Sequence, residues 1–130
     1  MGWVKERFEY DSSMASGIPK VWCALKSSLK TAEKEFQEHF NQRNTVISVT
    51  EATPNLMYIL VREGSIEKTM QVSLDNKNRQ ITITRCDPQS SAKLGFLLNS
   101  DGEVSPSMDG KLLMIEQASR LLLEPLLFPA

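Results

Sequence analysis

The stretch Ile66–Arg85, with the sequence IEKTMQVSLDNKNRQITITR, decides the fold class of this chain. Apolar and polar residues alternate on both sides of Asp75-Asn76-Lys77-Asn78, and a period of two residues is typical of a strand with one buried face. Asparagine and aspartate tolerate positive φ angles and favour tight turns. The stretch therefore predicts a β-hairpin and, with it, an antiparallel sheet.

The neighbouring segments extend this sheet in both directions. Each is short, rich in β-branched or aliphatic residues, and bounded by turn-forming residues such as Asn55, Gly64 and Gly102. The polar stretch Gln89–Lys93 is interpreted as a connection. The predicted strands are Thr45–Glu51, Leu56–Arg62, Ile66–Leu74, Gln80–Arg85 and Leu94–Leu98, with a short return at Glu103–Ser105.

Segments of helical period lie on both sides of the strands. In Ile18–Arg43 the apolar residues recur every three or four positions and form one stripe, which predicts a helix that packs lengthwise on the sheet. These residues are Ile18, Trp22, Leu25, Leu29, Ala32, Phe36 and Phe40. A second helix is predicted over Asp109–Leu123, with Ser107 or Asp109 as its N-cap and Pro125 ending it.

The residues before Ile18 show a different pattern. Trp3–Tyr10 alternates in a way that fits a short edge strand or an extended arm, and Ser12–Gly17 is rich in small residues typical of a loop. Residues 1–17 are therefore predicted to be an N-terminal arm or edge strand followed by a loop.

These elements predict a single α+β domain over residues 1–130. We expect a long N-terminal helix, an antiparallel sheet of about five strands, and a C-terminal helix packed on the same face of the sheet. The element order over Ile18–Leu123 is similar to that of frataxin-like domains and, more loosely, of small dimeric chaperones of secretion systems. The dense ridge of carboxylates that an iron-handling role would need is absent from the sequence.

The composition disfavours two classes of partner, nucleic acids and membranes. Fifteen basic residues against sixteen acidic ones leave a net charge of −1, whereas a nucleic-acid binder usually carries a clustered basic excess. The longest apolar run, Leu121–Leu123, is far too short to span a membrane. Charges at Lys5, Glu6 and Arg7 interrupt the start of the chain, so we expect no signal peptide, and we interpret Cys23 and Cys86 as reduced thiols of a cytoplasmic protein.

No constellation of residues points to catalysis, a metal or a cofactor. The one histidine, His39, has no second ligand at metal-binding spacing except a lone carboxylate at Glu35, and we interpret it as a surface residue at a helix C-terminus. Along one continuous helix Cys23 would lie about 24 Å from His39, too far for a nucleophile–base pair. Phosphate-binding glycine motifs are also absent. A non-enzymatic role is therefore favoured.

The apolar chain ends are the nearest approach to a functional signal. Leu121–Phe128 continues beyond Pro125 with three large apolar residues, which either fold back to close the core or form an exposed patch. The same two alternatives apply to Trp3 and Phe8, which lie near the other end of the chain. We predict a protein-interaction module that self-associates as a homodimer and whose surface comprises Leu126, Leu127, Phe128, Trp3 and Phe8. The alternative is a small-ligand-binding protein or enzyme with a site between the first helix and the sheet, rimmed by Arg62, Arg85 or Cys86.

Overall fold

The structure, a computed structural model, describes residues 2–41, 43–86 and 89–128, with the side chain of Gln89 excluded. Two helices enclose a run of seven strands, so the fold class is α+β as predicted. The elements are α1 (Trp3–His39), β1 (Thr45–Thr53), β2 (Leu56–Glu63), β3 (Ile66–Asp75), β4 (Gln80–Cys86), β5 (Gln89–Leu98), β6 (Val104–Met108), β7 (Lys111–Leu112) and α2 (Ile115–Leu127).

The strands form one antiparallel meander in the order β1-β2-β3-β4-β5-β6-β7. The predicted hairpin is confirmed, with Asp75 opposite Gln80 at its closed end. The expected number of about five strands is wrong, since there are seven. The polar stretch Gln89–Lys93 belongs to β5, where it pairs with β4 in register from Gln89 opposite Cys86. Backbone pairing there outweighs the weak β-propensity of its serines.

The second helix begins later than predicted because the chain first makes another turn. Asp109 and Gly110 both have positive φ angles, of 54° and 81°, and join β6 to β7. Residues with these angles cannot start a right-handed helix. Ser107 is therefore not an N-cap but a buried residue of β6, and α2 starts at Ile115.

Pro125 lies inside α2 instead of ending it. A proline has no backbone N–H, so the carbonyl of Leu121 loses its usual helical donor. Arg85, which projects from β4, places its Nη2 3.5 Å from that carbonyl oxygen. We infer that this contact compensates for the missing helical bond and lets the helix continue to Leu127.

The prediction for residues 1–17 is wrong, because α1 is one helix of 37 residues that starts at Trp3. The alternation of Trp3–Tyr10 also satisfies helical spacing, since Trp3, Arg7, Tyr10 and Met14 follow each other by four, three and four residues. Met14 is buried in the core. Pro19 accordingly lies in the interior of α1 and not in its first turn.

Both helices and one face of the sheet share a single hydrophobic cluster. In β2 and β3 alternate residues are buried, as the period of two predicts, and Ile59, Met70 and Val72 are fully enclosed. The stripe of α1 is confirmed at Ile18, Trp22, Leu25, Leu29 and Phe36, all of which are buried. Among the described residues, neither helix has the length and apolar composition needed to cross a bilayer.

Side chains of α1 bind the backbone of β1, which is the first strand of the sheet and pairs only with β2. Lys30 donates to the carbonyl of Val49 at 2.7 Å, Glu33 accepts from the amide of Val49, and Gln37 donates to the carbonyl of Ile47. The helix therefore satisfies polar groups along an edge that would otherwise be open.

The same helix also contacts β6, near the other edge of the sheet. A Cβ placed on Gly17 would lie only 2.3 Å from Cγ2 of Val104 in β6. Because α1 touches both β1 and β6, the sheet curls around it. Met14 still belongs to the core, whereas residues 3–9 at the start of α1 are exposed.

Candidate protein-interaction site

The first exposed apolar surface is the N-terminal part of α1, residues 3–8, which we call the arm. Trp3 is 77% exposed, Val4 62% and Phe8 70%. At about 100° per residue, these three side chains and Arg7 fall within one sector of about 140° around the helix axis. Met14, Ile18 and Trp22 occupy the same sector further along and are buried. The arm therefore carries the core-forming face of α1 beyond the core.

Ion pairs anchor α1 just after the arm. Asp11 contacts Arg7 at 3.4 Å and Arg79, from the turn between β3 and β4, at 3.0 Å. The guanidinium carbon of Arg7 also lies 5.3 Å from the centre of the Tyr10 ring. These contacts are partly exposed and each contributes little energy, but together they orient Arg7 on the apolar side of the arm.

A second surface is the groove between α1 and α2, which we call the interhelical groove. Its volume is about 540 Å³. Ala32, Leu123 and Leu127 supply apolar lining, together with Ser119, which is buried. Grooves of this size with apolar floors are typical of binding sites in folded proteins.

Charged residues line the interhelical groove unevenly. Three carboxylates, Glu35, Glu116 and Glu124, are among its lining residues. The basic residues that line it are Arg120, which forms an ion pair with Glu124, and His39, which is exposed. The groove therefore has an acidic rim around an apolar floor.

An aromatic cluster of Phe36, Phe40 and Phe128 joins the C-terminal ends of the two helices. Phe36 and Phe40 stack at 5.0 Å between ring centres, and Phe128 meets Phe40 edge-on at 5.3 Å. Arg43 lies within 6.0 Å of all three rings, a distance at which a cation is attracted to an aromatic face. The cluster contributes Phe36, Phe40 and Phe128 to the groove lining.

The structure separates the five residues of the predicted interaction surface. Leu126 and Leu127 are only 6% and 5% exposed, and Leu127 is among the lining residues of the interhelical groove. They fold back into the core because α2 continues past Pro125. Phe128 is 44% exposed at the aromatic cluster, whereas Trp3 and Phe8 are exposed on the arm.

The residues named for the alternative site do not converge. Arg85 projects from the helix-covered face of the sheet, next to α2, while Arg62 lies on the opposite face, where it contacts Glu67. Cys86 follows Arg85 along β4 and is exposed. Buried core side chains pack between α1 and the sheet, and a groove of about 680 Å³ between α1 and β1 is lined by none of these three residues.

Within the described part of the chain, no three His, Cys, Asp or Glu residues are grouped in a way that could hold a metal ion. Cys23 and Cys86 are free and exposed. Among the described residues, the one titratable group with a clearly shifted pKa is Asp75, in the hairpin turn. The side chain of Asn78, followed by its backbone N–H, lowers the pKa of that carboxyl group below the ordinary 3.8.

Sequence reasoning missed the interhelical groove. Its walls come from α1 and α2, which are separated along the chain by the entire sheet. The available signal was the broad apolar surface of the second helix, which extends over more than one side.

No protein-family model matches this chain significantly, and neither a curated protein nor a solved structure does so. Inferences about function therefore depend on the two surfaces described above.

Proposed function

We propose that this chain is a non-enzymatic protein-interaction module of the cytoplasm that self-associates as a homodimer through the arm. The observation that carries this proposal is the exposure of Trp3, Val4 and Phe8 on one side of a helix whose same side forms the core further on. A contiguous apolar surface of this kind is typical of an interaction site in a water-soluble domain.

The energy available from the arm sets the expected affinity. Burying its three exposed side chains contributes about 3–6 kcal/mol per arm. Lost translational and rotational freedom offsets part of the contribution of two arms, and a nanomolar dissociation constant would need about 12 kcal/mol of net binding free energy. We therefore expect dissociation at micromolar rather than nanomolar concentrations.

The charges near the arm favour a protein partner over an anionic surface. Trp3–Tyr10 contains two basic residues, Lys5 and Arg7, and two acidic ones, Glu6 and Glu9. An interfacial membrane helix typically has an excess of Lys and Arg on its polar side. Nucleic acid is disfavoured for the same reason, because its recognition depends on a basic surface.

Sedimentation velocity of the full chain tests this proposal over a range of about 1–200 µM. We expect the average mass to rise with concentration, and we expect Phe8→Ser to lower the association constant at least tenfold. Ile66→Ser is the matched control, since Ile66 is 58% exposed but lies on β3. A wild-type chain that stays monomeric throughout, or equal effects of the two substitutions, would refute the proposal.

A further inference from the structure

We infer that the partner of the arm is the interhelical groove of a second copy of this chain. This inference rests on the proposed self-association and identifies both surfaces of the contact. It treats the arm and the groove as two halves of one interface, which a single protomer presents at different places.

The arm cannot occupy the groove of its own chain. Phe8 and Phe36 lie on the same continuous helix, 28 residues apart, which corresponds to about 42 Å along the axis. The groove begins at Ser28, still about 30 Å from Phe8. One continuous helix cannot fold back on itself, so only another molecule can bring these surfaces together.

The apolar parts of the two surfaces match in chemistry. The arm offers an indole, a valine and a phenyl ring on one side of a helix. The groove offers aliphatic lining from Leu123 and Leu127 and, at one end, the rings of the aromatic cluster. An amphipathic helix lying in an apolar groove is a recurrent mode of protein recognition.

The charges are also complementary. Arg7 lies within the apolar sector of the arm, whereas Glu6 and Glu9 lie outside it. The groove rim carries Glu35 and Glu116 in addition to the paired Glu124. A docked arm therefore brings a guanidinium group to an acidic rim, which favours this orientation over one that presents Glu6 or Glu9.

Two such contacts can form in one dimer. Each protomer has one arm and one groove, so reciprocal docking satisfies both surfaces in a closed assembly. This differs from a dimer in which the two arms pair with each other and leave both grooves empty.

A charge-exchange experiment with full-length chains distinguishes these arrangements. The arm variant is Arg7→Glu, and the groove variant combines Glu35→Lys with Glu116→Lys; all three positions are exposed, so the fold is retained. Each variant alone places like charges in contact, and we expect its dimerisation to weaken at least tenfold. In an equimolar mixture every arm can find a groove of opposite charge. We therefore expect mixed dimers with an affinity within about threefold of wild type.

Three results would overturn the inference while leaving the proposed function standing. In the first, the groove variant dimerises as wild type although Phe8→Ser does not. In the second, the mixture of variants fails to recover dimers. In the third, Arg7→Glu has no effect. A monomeric wild-type chain would instead refute the proposed self-association itself, so the two failures are distinguishable.

Discussion

Replacing Gly17 with alanine tests the position at which α1 crosses the sheet and from which the arm extends. Alanine in a helix interior is normally more favourable than glycine by about 1 kcal/mol. Here the added Cβ would lie 2.3 Å from Cγ2 and 2.7 Å from Cβ of Val104. Carbon atoms in ordinary contact are about 3.5–4.0 Å apart, so the helix and β6 must separate by more than 1 Å.

The two effects have opposite signs, and the steric one is larger. Overpacking of this kind costs about 1–3 kcal/mol, and the branched Val104 cannot rotate away because its Cβ is also too close. After subtracting the gain in helix propensity, we expect Gly17→Ala to destabilise the protein by up to about 2 kcal/mol. Ala24 is exposed on the same helix, so Ala24→Gly serves as a control. It should lower the free energy of unfolding through helix propensity alone, by about 1 kcal/mol.

Urea denaturation followed by far-ultraviolet circular dichroism measures these differences. Val104→Ala removes Cγ2, the atom closest to the added Cβ. In the Val104→Ala background, Gly17→Ala should therefore destabilise the protein by at least about 1 kcal/mol less than it does in the wild-type chain. If Gly17→Ala instead stabilises the wild-type chain, or if the two substitutions are strictly additive, α1 does not approach β6 as described and the position assigned to the arm is wrong.

Two further predictions concern the polar contacts of Glu33 and Asp75, which stabilise the fold. Glu33→Ala leaves the amide of Val49 in β1 without its acceptor and should lower the free energy of unfolding by about 1–3 kcal/mol. Glu33→Gln keeps an acceptor oxygen and should cost less than half as much. Equal losses of stability in urea denaturation would contradict this role of Glu33. Asp75 has a lowered pKa because Asn78 donates to it, so its carboxylate stabilises the fold above pH 3.8, and this contribution is lost as the pH falls through the lowered value. The difference in stability between Asp75→Ala and wild type should therefore be smaller at pH 2 than at pH 7, and a difference that persists unchanged at pH 2 would refute the assignment.

The parts of the fold that could be predicted from the sequence are those in which local pattern and tertiary burial agree. The alternation around Asp75–Asn78 and the stripe from Ile18 to Phe36 each specify which side of an element is buried. A single face of the sheet covered by helices follows from these two patterns. The α+β class, the long first helix and the antiparallel sheet are therefore confirmed.

The failures occurred where a distant contact overrides a local rule. Pro125 usually marks the end of a helix, but Arg85 from β4 lies against the carbonyl that the proline leaves without a donor. The short segment Trp3–Tyr10 satisfies both a period of two and a helical period, so its pattern alone could not decide. In the first case the deciding residue, Arg85, lies 36 positions from Leu121 in the chain.

The candidate site was predicted only in part. Trp3 and Phe8 are exposed as the prediction required, whereas Leu126 and Leu127 are buried because α2 continues past Pro125. The groove could not be predicted because residues such as Ala32 and Ser119 are unremarkable in sequence. They acquire a common role only when α2 returns to lie beside α1.

The contacts of Lys30, Glu33 and Gln37 with the backbone of β1 limit how copies of this chain can join. An uncovered outer strand would accept a strand from a neighbour, which could then accept another, so growth along the sheet would have no natural end. Because α1 already occupies that position, association through β1 is blocked. The proposed dimer instead uses helical surfaces, where reciprocal docking would stop at a fixed number of subunits.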